Sequence, residues 1–247
     1  MKMGILSAFL DLIYPPVCLL CGQFLWDEPL FVLGQRIDLC RSCYLSFKRI
    51  TGPVCPSCGR PYPEESGPDH LCEDCMVKPP VYDMIATPFA FEGPLVDAVH
   101  SFKYGGKSHY AKSLGLPLAE FASENLYLSD PPLVMPVALH HKRLMERGFN
   151  QSLLLARYVT QELGGELDFL SLVRVRLTQA QTQLSREDRL KNLRRAFAVT
   201  RPERVMNRIV LLVDDVATTG ATFNECAKVL KKAGAREVLA IALARAV

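Results

Sequence analysis

The chain has 247 residues, 49% hydrophobic and 22% charged, the balance of a globular protein able to bury a real core. A net charge of +3 is too small to name a partner by itself, although it is unevenly spread: residues 1–80 hold seven Lys/Arg against nine Asp/Glu, and residues 81–247 hold 22 against 17. No segment reaches the roughly 20 apolar residues a bilayer span needs, so no membrane insertion is expected.

Residues 3–14 are apolar and imitate a secretory leader. One lysine precedes them, Asp11 interrupts the run, and no small-residue cleavage site stands before Pro15. A short amphipathic helix packed on the domain is the better expectation, in a cytoplasmic protein.

Eight of the nine cysteines then fall in four C-x-x-C pairs: Cys18/Cys21, Cys40/Cys43, Cys55/Cys58 and Cys72/Cys75. Two-residue spacing lets one knuckle aim two thiolates at one tetrahedral cation, and two knuckles complete a four-sulfur site. Gly22 and Gly59 follow Cys21 and Cys58, where a knuckle turns tightly. A secreted disulfide scaffold lacks its leader, and a thioredoxin-like site needs one such pair, not four. Iron–sulfur ligation is open, but the common ferredoxin spacings differ. Zinc is the favoured metal, with Cys18, Cys21, Cys40 and Cys43 as one ribbon and Cys55, Cys58, Cys72 and Cys75 as the next; an interleaved pairing stays open. Filled with two zinc ions, this acidic module would be structural or a docking surface for protein. Cys226, on the apolar face of a later helix, reads as a core thiol.

The K-P-P-V stretch at 78–81 ends the module, dividing the chain into a zinc-ribbon part (1–80) and a second domain (81–247). The second begins with strand-like sequence over 83–91 and helices over 94–102 and 110–122, with a turn at 103–107 between them. A buried strand over 133–139 follows, then a basic turn at 140–143 and a helix opening at 147–151 and running to 163. A short strand over 196–199, a strand from 209, a helix over 223–233 and a strand over 238–243 finish the chain. Strands alternating with helices predict an α/β fold with a mostly parallel sheet and helices on both faces. Ligands in such sheets sit beyond the carboxyl ends of the strands, where Asp214 and His140 fall.

Residues 209–222 read I-V-L-L-V-D-D-V-A-T-T-G-A-T. An apolar run without polar alternation is a strand buried on both faces. It ends on Asp214 and Asp215, and a loop of Thr218, Thr219, Gly220, Ala221 and Thr222 leads into a helix. Free N–H groups at the helix start bind a phosphate, the threonines add donors, and two carboxylates accept from a ribose diol.

This stretch resembles the phosphoribosyl-pyrophosphate (PRPP) signature of type I phosphoribosyltransferases. The resemblance implies Asp214 and Asp215 as ribose ligands, residues 218–222 as the 5′-phosphate cradle, and magnesium arriving with PRPP. Purine-salvage members often carry a third acidic residue where Thr218 stands, which argues against hypoxanthine or guanine as acceptor. The four cysteine knuckles, F-K-Y-G-G-K, P-V-A-L-H-H-K-R-L-M-E-R-G-F-N-Q-S, the arginine-rich segment 174–197 and the PRPP signature, in that order, resemble the ComF/GntX family. That family joins a zinc-ribbon N-terminus to a type I phosphoribosyltransferase domain and is associated with natural transformation and DNA uptake.

The resemblance implies a phosphoribosyltransferase of unknown acceptor or, alternatively, a non-catalytic PRPP or nucleotide sensor that holds single-stranded DNA. It also implies competence proteins such as a DNA helicase or translocase as partners of the zinc module. Lys103, His140, Arg174 and Arg176 become candidates for the pyrophosphate, and 174–196 the mobile loop over it. That loop carries seven Lys/Arg against Glu187 and Asp188, and guanidinium forks suit pyrophosphate. The chain stops at Val247 with no C-terminal hood, so an acceptor pocket is expected from residues 81–110 or from the zinc module. Tyr104, Phe149 and Phe197 are the rings available for stacking DNA bases.

Overall fold

The computed structural model describes residues 15–26, 29–63, 67–104, 106–176 and 195–246. The helix expected over 3–14, and most of the arginine-rich loop, lie outside them.

In the cysteine-rich part, β1 (Leu30–Val32) and β2 (Gln35–Ile37) form an antiparallel pair, followed by the short helices α1 (Arg41–Leu45) and α2 (Glu73–Val77). Cys40 and Cys72 are the N-caps of these helices. Cys43 and Cys75 therefore stand one turn on, on the same side. The other two pairs lie in tight turns closed by the Gly22 N–H on the Cys18 carbonyl at 2.9 Å and the Gly59 N–H on the Cys55 carbonyl at 2.8 Å.

The remainder runs β3 (Met84–Ala86), β4 (Phe89–Ala90), α3 (Pro94–Tyr104), α4 (Tyr110–Asn125), β5 (Leu133–Pro136), α5 (His141–Arg147), α6 (Gln151–Leu163), β6 (Glu166–Leu167), β7 (Leu172–Arg174), β8 (Phe197–Val199), α7 (Pro202–Val205), β9 (Ile209–Ala217), α8 (Ala221–Lys232) and β10 (Glu237–Arg245). The main sheet has the order β3-β10-β9-β5-β6, with β4 also against β10, and every pairing in it is parallel. The expected α/β architecture is thus present. β7 and β8 form a separate antiparallel pair at the two ends of the arginine-rich segment.

β9 shows why its sequence does not alternate. Ile209, Leu211 and Val213 face one core with α4 and α6, whereas Val210 and Leu212 face a second core with α8. Cys226 belongs to that second core and is fully buried. The cysteine-rich part also divides between the two cores. Cys18 and Cys40 join the first, and Cys55, Cys58, Cys72 and Cys75 the second.

Main-chain bonds stitch this part to the sheet edge. The Ile85 N–H donates to the Ser57 carbonyl at 2.8 Å, the Ala90 N–H to the Lys48 carbonyl at 2.9 Å, and Arg49 bridges Phe89. Gly59 shows how close the approach is: its φ is +67°, and a Cβ there would stand 2.5 Å from the Ile85 carbonyl oxygen.

Several local expectations need correction. The strand over 83–91 is two short strands parted at Thr87 and Pro88, since proline brings no N–H to the ladder. The basic turn at 140–143 instead begins α5, capped by His140, whose Nδ1 accepts from the Lys142 N–H. β5 ends at Pro136, although the Val137 N–H still reaches the Val213 carbonyl at 2.9 Å. β6, β7 and α7 were not foreseen; each spans only two to four residues, too few for any periodicity.

Candidate functional site

The four sulfurs of Cys18, Cys21, Cys40 and Cys43 lie within 4.8 Å of one another, as do those of Cys55, Cys58, Cys72 and Cys75. The ribbons are therefore consecutive, not interleaved. Zn–S bonds of about 2.3 Å in a tetrahedron separate sulfurs by about 3.8 Å. Cys21–Cys40 and Cys58–Cys72 are each 3.7 Å apart, so both sets fit zinc. They differ in setting: Cys21 is exposed in the first, whereas all four residues of the second are buried.

At the carboxyl end of the sheet, β9 carries both carboxylates past its apolar run. The Ser152 hydroxyl and the Asp215 N–H both donate to Asp214 Oδ1, at 2.8 and 2.9 Å. Ser152 is placed there by the start of α6, where Asn150 accepts from the Ser152 N–H and donates to the Val137 carbonyl. Lys103 Nζ, at the end of α3, pairs with Asp215 Oδ1 at 2.8 Å. Burial and the Asp215 charge push the Asp214 carboxyl up to about 7, against the pull of Lys103 and Ser152.

The loop after β9 turns at Gly220, where φ is +74° and a Cβ would come within 2.8 Å of the Tyr82 hydroxyl. Only glycine suits both constraints. The N–H groups opening α8 have no partner within the helix and carry the positive end of its dipole.

A cavity of about 210 Å³ joins these parts. Asp214, Asp215, Thr218, Gly220, Ala221, Thr222, Lys103 and Arg174 line it, so most sequence-identified residues converge on one space. Thr219 faces an adjoining cleft instead, and its hydroxyl accepts from the Ala221 N–H at 3.4 Å. Neither His140 nor Arg176 lines the cavity. His140 is buried as a helix cap, and burial together with the His141, Arg174 and Lys142 charges moves its ring below the usual histidine range.

Several lining residues are not among the individually named phosphate and pyrophosphate candidates, Tyr104 being named only as a stacking ring. Arg143 and Arg147 bring two more cations, and Phe91, His100 and Tyr104 form a row of ring contacts along the same cavity. Arg147 lies over the Tyr104 ring at 4.9 Å and donates to Gln151 Oε1, while Gln151 donates to the Lys103 carbonyl. The N-Q-S triplet at 150–152, an N-cap followed by two polar residues ahead of three leucines, was the signal available. The expected aromatic platform shrinks accordingly: Phe197 is buried, Phe149 packs on Phe102 at 5.7 Å, and Tyr104 alone of the three is exposed.

No helix among the described residues is long and apolar enough to cross a membrane. Residues 9–76 match the double zinc ribbon domain family and residues 150–246 the phosphoribosyl transferase domain family. The chain is 34% identical to DNA utilization protein YhgH of Escherichia coli over 94% of this chain and 97% of that one. It is 34% identical to competence protein F of Haemophilus influenzae over 84% and 90%, and 28% identical to competence protein ComFC of Bacillus subtilis over 90% and 91%. Identity of this degree, end to end and with ribbon preceding transferase fold, marks common descent, and the chain belongs to the ComF/GntX family.

Proposed function

We propose that the cavity binds PRPP with Mg²⁺. The 5′-phosphate rests on Thr218, Gly220, Ala221 and Thr222 at the start of α8, the ribose hydroxyls on Asp214 and Asp215, and the pyrophosphate among Lys103, Arg143, Arg147 and Arg174. The observation that carries this reading is the convergence of a carboxylate pair, a helix N-terminus and four cations on one small cavity. Each matches one part of a phosphorylated sugar. Phosphoribosyl transfer passes through an oxocarbenium-like state, so catalysis would rest on positioning and on neutralising the leaving pyrophosphate, with no protein nucleophile. An acceptor entering the cavity would meet Phe91, His100 and Tyr104. These lie within residues 81–110, one of the two expected sources of an acceptor pocket, the zinc module being the other.

The relatives named for competence and DNA utilization support a role for this phosphoribosyltransferase-like protein in handling incoming DNA, a role we place in the cytoplasm. We assign residues 1–80 to zinc-ribbon docking and 81–247 to the sugar-phosphate site. Phe24, Phe31, Leu45, Met76 and Val77 are all more than half exposed in the first part, which supports protein docking there, as by a helicase or translocase. Calorimetry with Mg-PRPP tests the site: Asp215→Ala should weaken binding at least tenfold, and equal affinity would refute the assignment. Pyrophosphate release with and without acceptors then separates an enzyme from a sensor.

A further inference from the structure

Arg245 ends β10 with only 2% of its surface exposed, and its Nε and Nη1 have no hydrogen-bond partner among the described residues. A guanidinium in that position is strongly unfavourable unless an anion faces it. Among the described residues it forms no ion pair with a carboxylate. Burial works against its charge and Arg60 adds to that, and Cys58 is the first of the neighbours that offset them. Arg245, Cys58 and Cys75 line one cleft of about 780 Å³.

The two four-cysteine sites pose different electrostatic problems. A zinc tetrathiolate keeps two surplus negative charges. In the first site Cys21 is exposed and water can solvate them. In the second site Cys55, Cys58, Cys72 and Cys75 are 0–7% exposed, and water solvates them far less. Of the two sites, only the second has cysteines lining the cleft that Arg245 lines. Arg60 is also near the second site, but it is partly exposed and its charge is engaged by Asp74 at 3.0 Å.

We propose that Arg245 is the counter-cation of the second four-cysteine site, its guanidinium donating to the Cys58 thiolate when zinc is bound. The residue positions and neutralises metal ligands and does not itself ligate. Metal-bound thiolates are commonly held by such outer donors, whose loss lowers metal affinity about 10- to 100-fold.

The test is zinc release from the full chain to a chromogenic chelator, which needs no PRPP and so is independent of the proposed function. Release should have a fast phase, altered in Cys21→Ser, and a slow phase from the buried site. Arg245→Met should accelerate the slow phase at least tenfold and leave the fast one alone, and Arg245→Lys, keeping the charge, should restore most of the difference. An unchanged slow phase, equal acceleration of both phases, or a lysine variant as fast as the methionine one would overturn the proposal. Should the methionine variant not fold, proton–nitrogen NMR of the unaltered protein decides. A slowly exchanging arginine Nε–H signal, absent in Arg245→Lys, must vanish when zinc is removed, and its persistence or absence from the start refutes the assignment.

Discussion

Asp214→Asn should make the unliganded protein more stable at neutral pH and at the same time less able to hold its ligand. Burial and the adjacent Asp215 charge raise the carboxyl from 3.8 to about 7. At 1.36 kcal/mol per unit, three units amount to about 4 kcal/mol. The folded value lies above the unfolded one, so stability from the protonated form is fully present below about pH 4 and is lost as pH rises through about 7. Above pH 7 the ionised group costs the fold at most about 4 kcal/mol. Both hydrogen bonds to Asp214 land on Oδ1, which asparagine can supply as a carbonyl oxygen without ionising. Urea denaturation at pH 5 and pH 8 should show the wild type losing about 2.5 kcal/mol more than the variant over that interval. A variant less stable than the wild type at pH 8, or an offset independent of pH, would refute the reasoning. Calorimetry on the same samples should show Mg-PRPP affinity falling at least tenfold, since an amide N–H₂ replaces a carboxylate oxygen where the ribose hydroxyls must donate.

Elemental analysis of purified protein should return about two zinc ions per chain; iron, or eight freely reactive thiols without metal, would contradict the sulfur geometry. Gly220→Ala adds left-handed strain of about 1–2 kcal/mol and a contact with the Tyr82 hydroxyl. It should weaken Mg-PRPP binding about tenfold or more, with Tyr82→Phe recovering only the steric part; unchanged binding would free the loop of its phosphate role. Single-stranded DNA should bind through residues 174–208, where ten Lys/Arg meet three acidic residues, with affinity falling steeply with salt and varying little with base sequence. Arg195→Glu with Arg201→Glu, both exposed, should weaken that binding and spare PRPP, and a salt-insensitive anisotropy signal would oppose the DNA role.

What could be read beforehand depended on how local each signal was. The run Ile209–Val213 is apolar on both faces, and that alone placed a central parallel strand with helices on either side. The C-x-x-C spacings carried the metal chemistry, because three residues of chain fix two sulfurs. Other features depend on pairs far apart in sequence. Ser152 reaches Asp214 across 62 residues, and nothing near Ser152 announces a carboxylate partner. His140 was assigned by its position after a strand, yet it closes a helix start, a choice made by the fold around it. Of the ten Lys/Arg in residues 174–208, Arg204 and Arg208 are held by Glu166, which is distant in the chain. The basic surface is therefore smaller than the count of charges promised.

The zinc sites also answer a problem posed by the sheet. A parallel sheet whose edge strands are three and two residues long leaves unpaired N–H and C=O groups open to solvent or to another chain. On the β3/β4 side that edge is covered by the cysteine-rich segment, through Lys48, Arg49 and Ser57. Lys48 and Arg49 lie between two knuckles and Ser57 lies within the Cys55/Cys58 turn, so this cover depends on the knuckles being closed. β10 runs just inside this edge, and its last residues pair with the end of β9, where the Ala246 N–H donates to the Ala217 carbonyl at 2.9 Å. Ala217 immediately precedes the loop that turns at Gly220. Metal loss would loosen first the edge cover, then β10, and through it the base of that loop. The cysteine-rich segment thus flanks β3 and β4, and β10 alone separates those strands from the one that carries the Asp214 and Asp215 carboxylates.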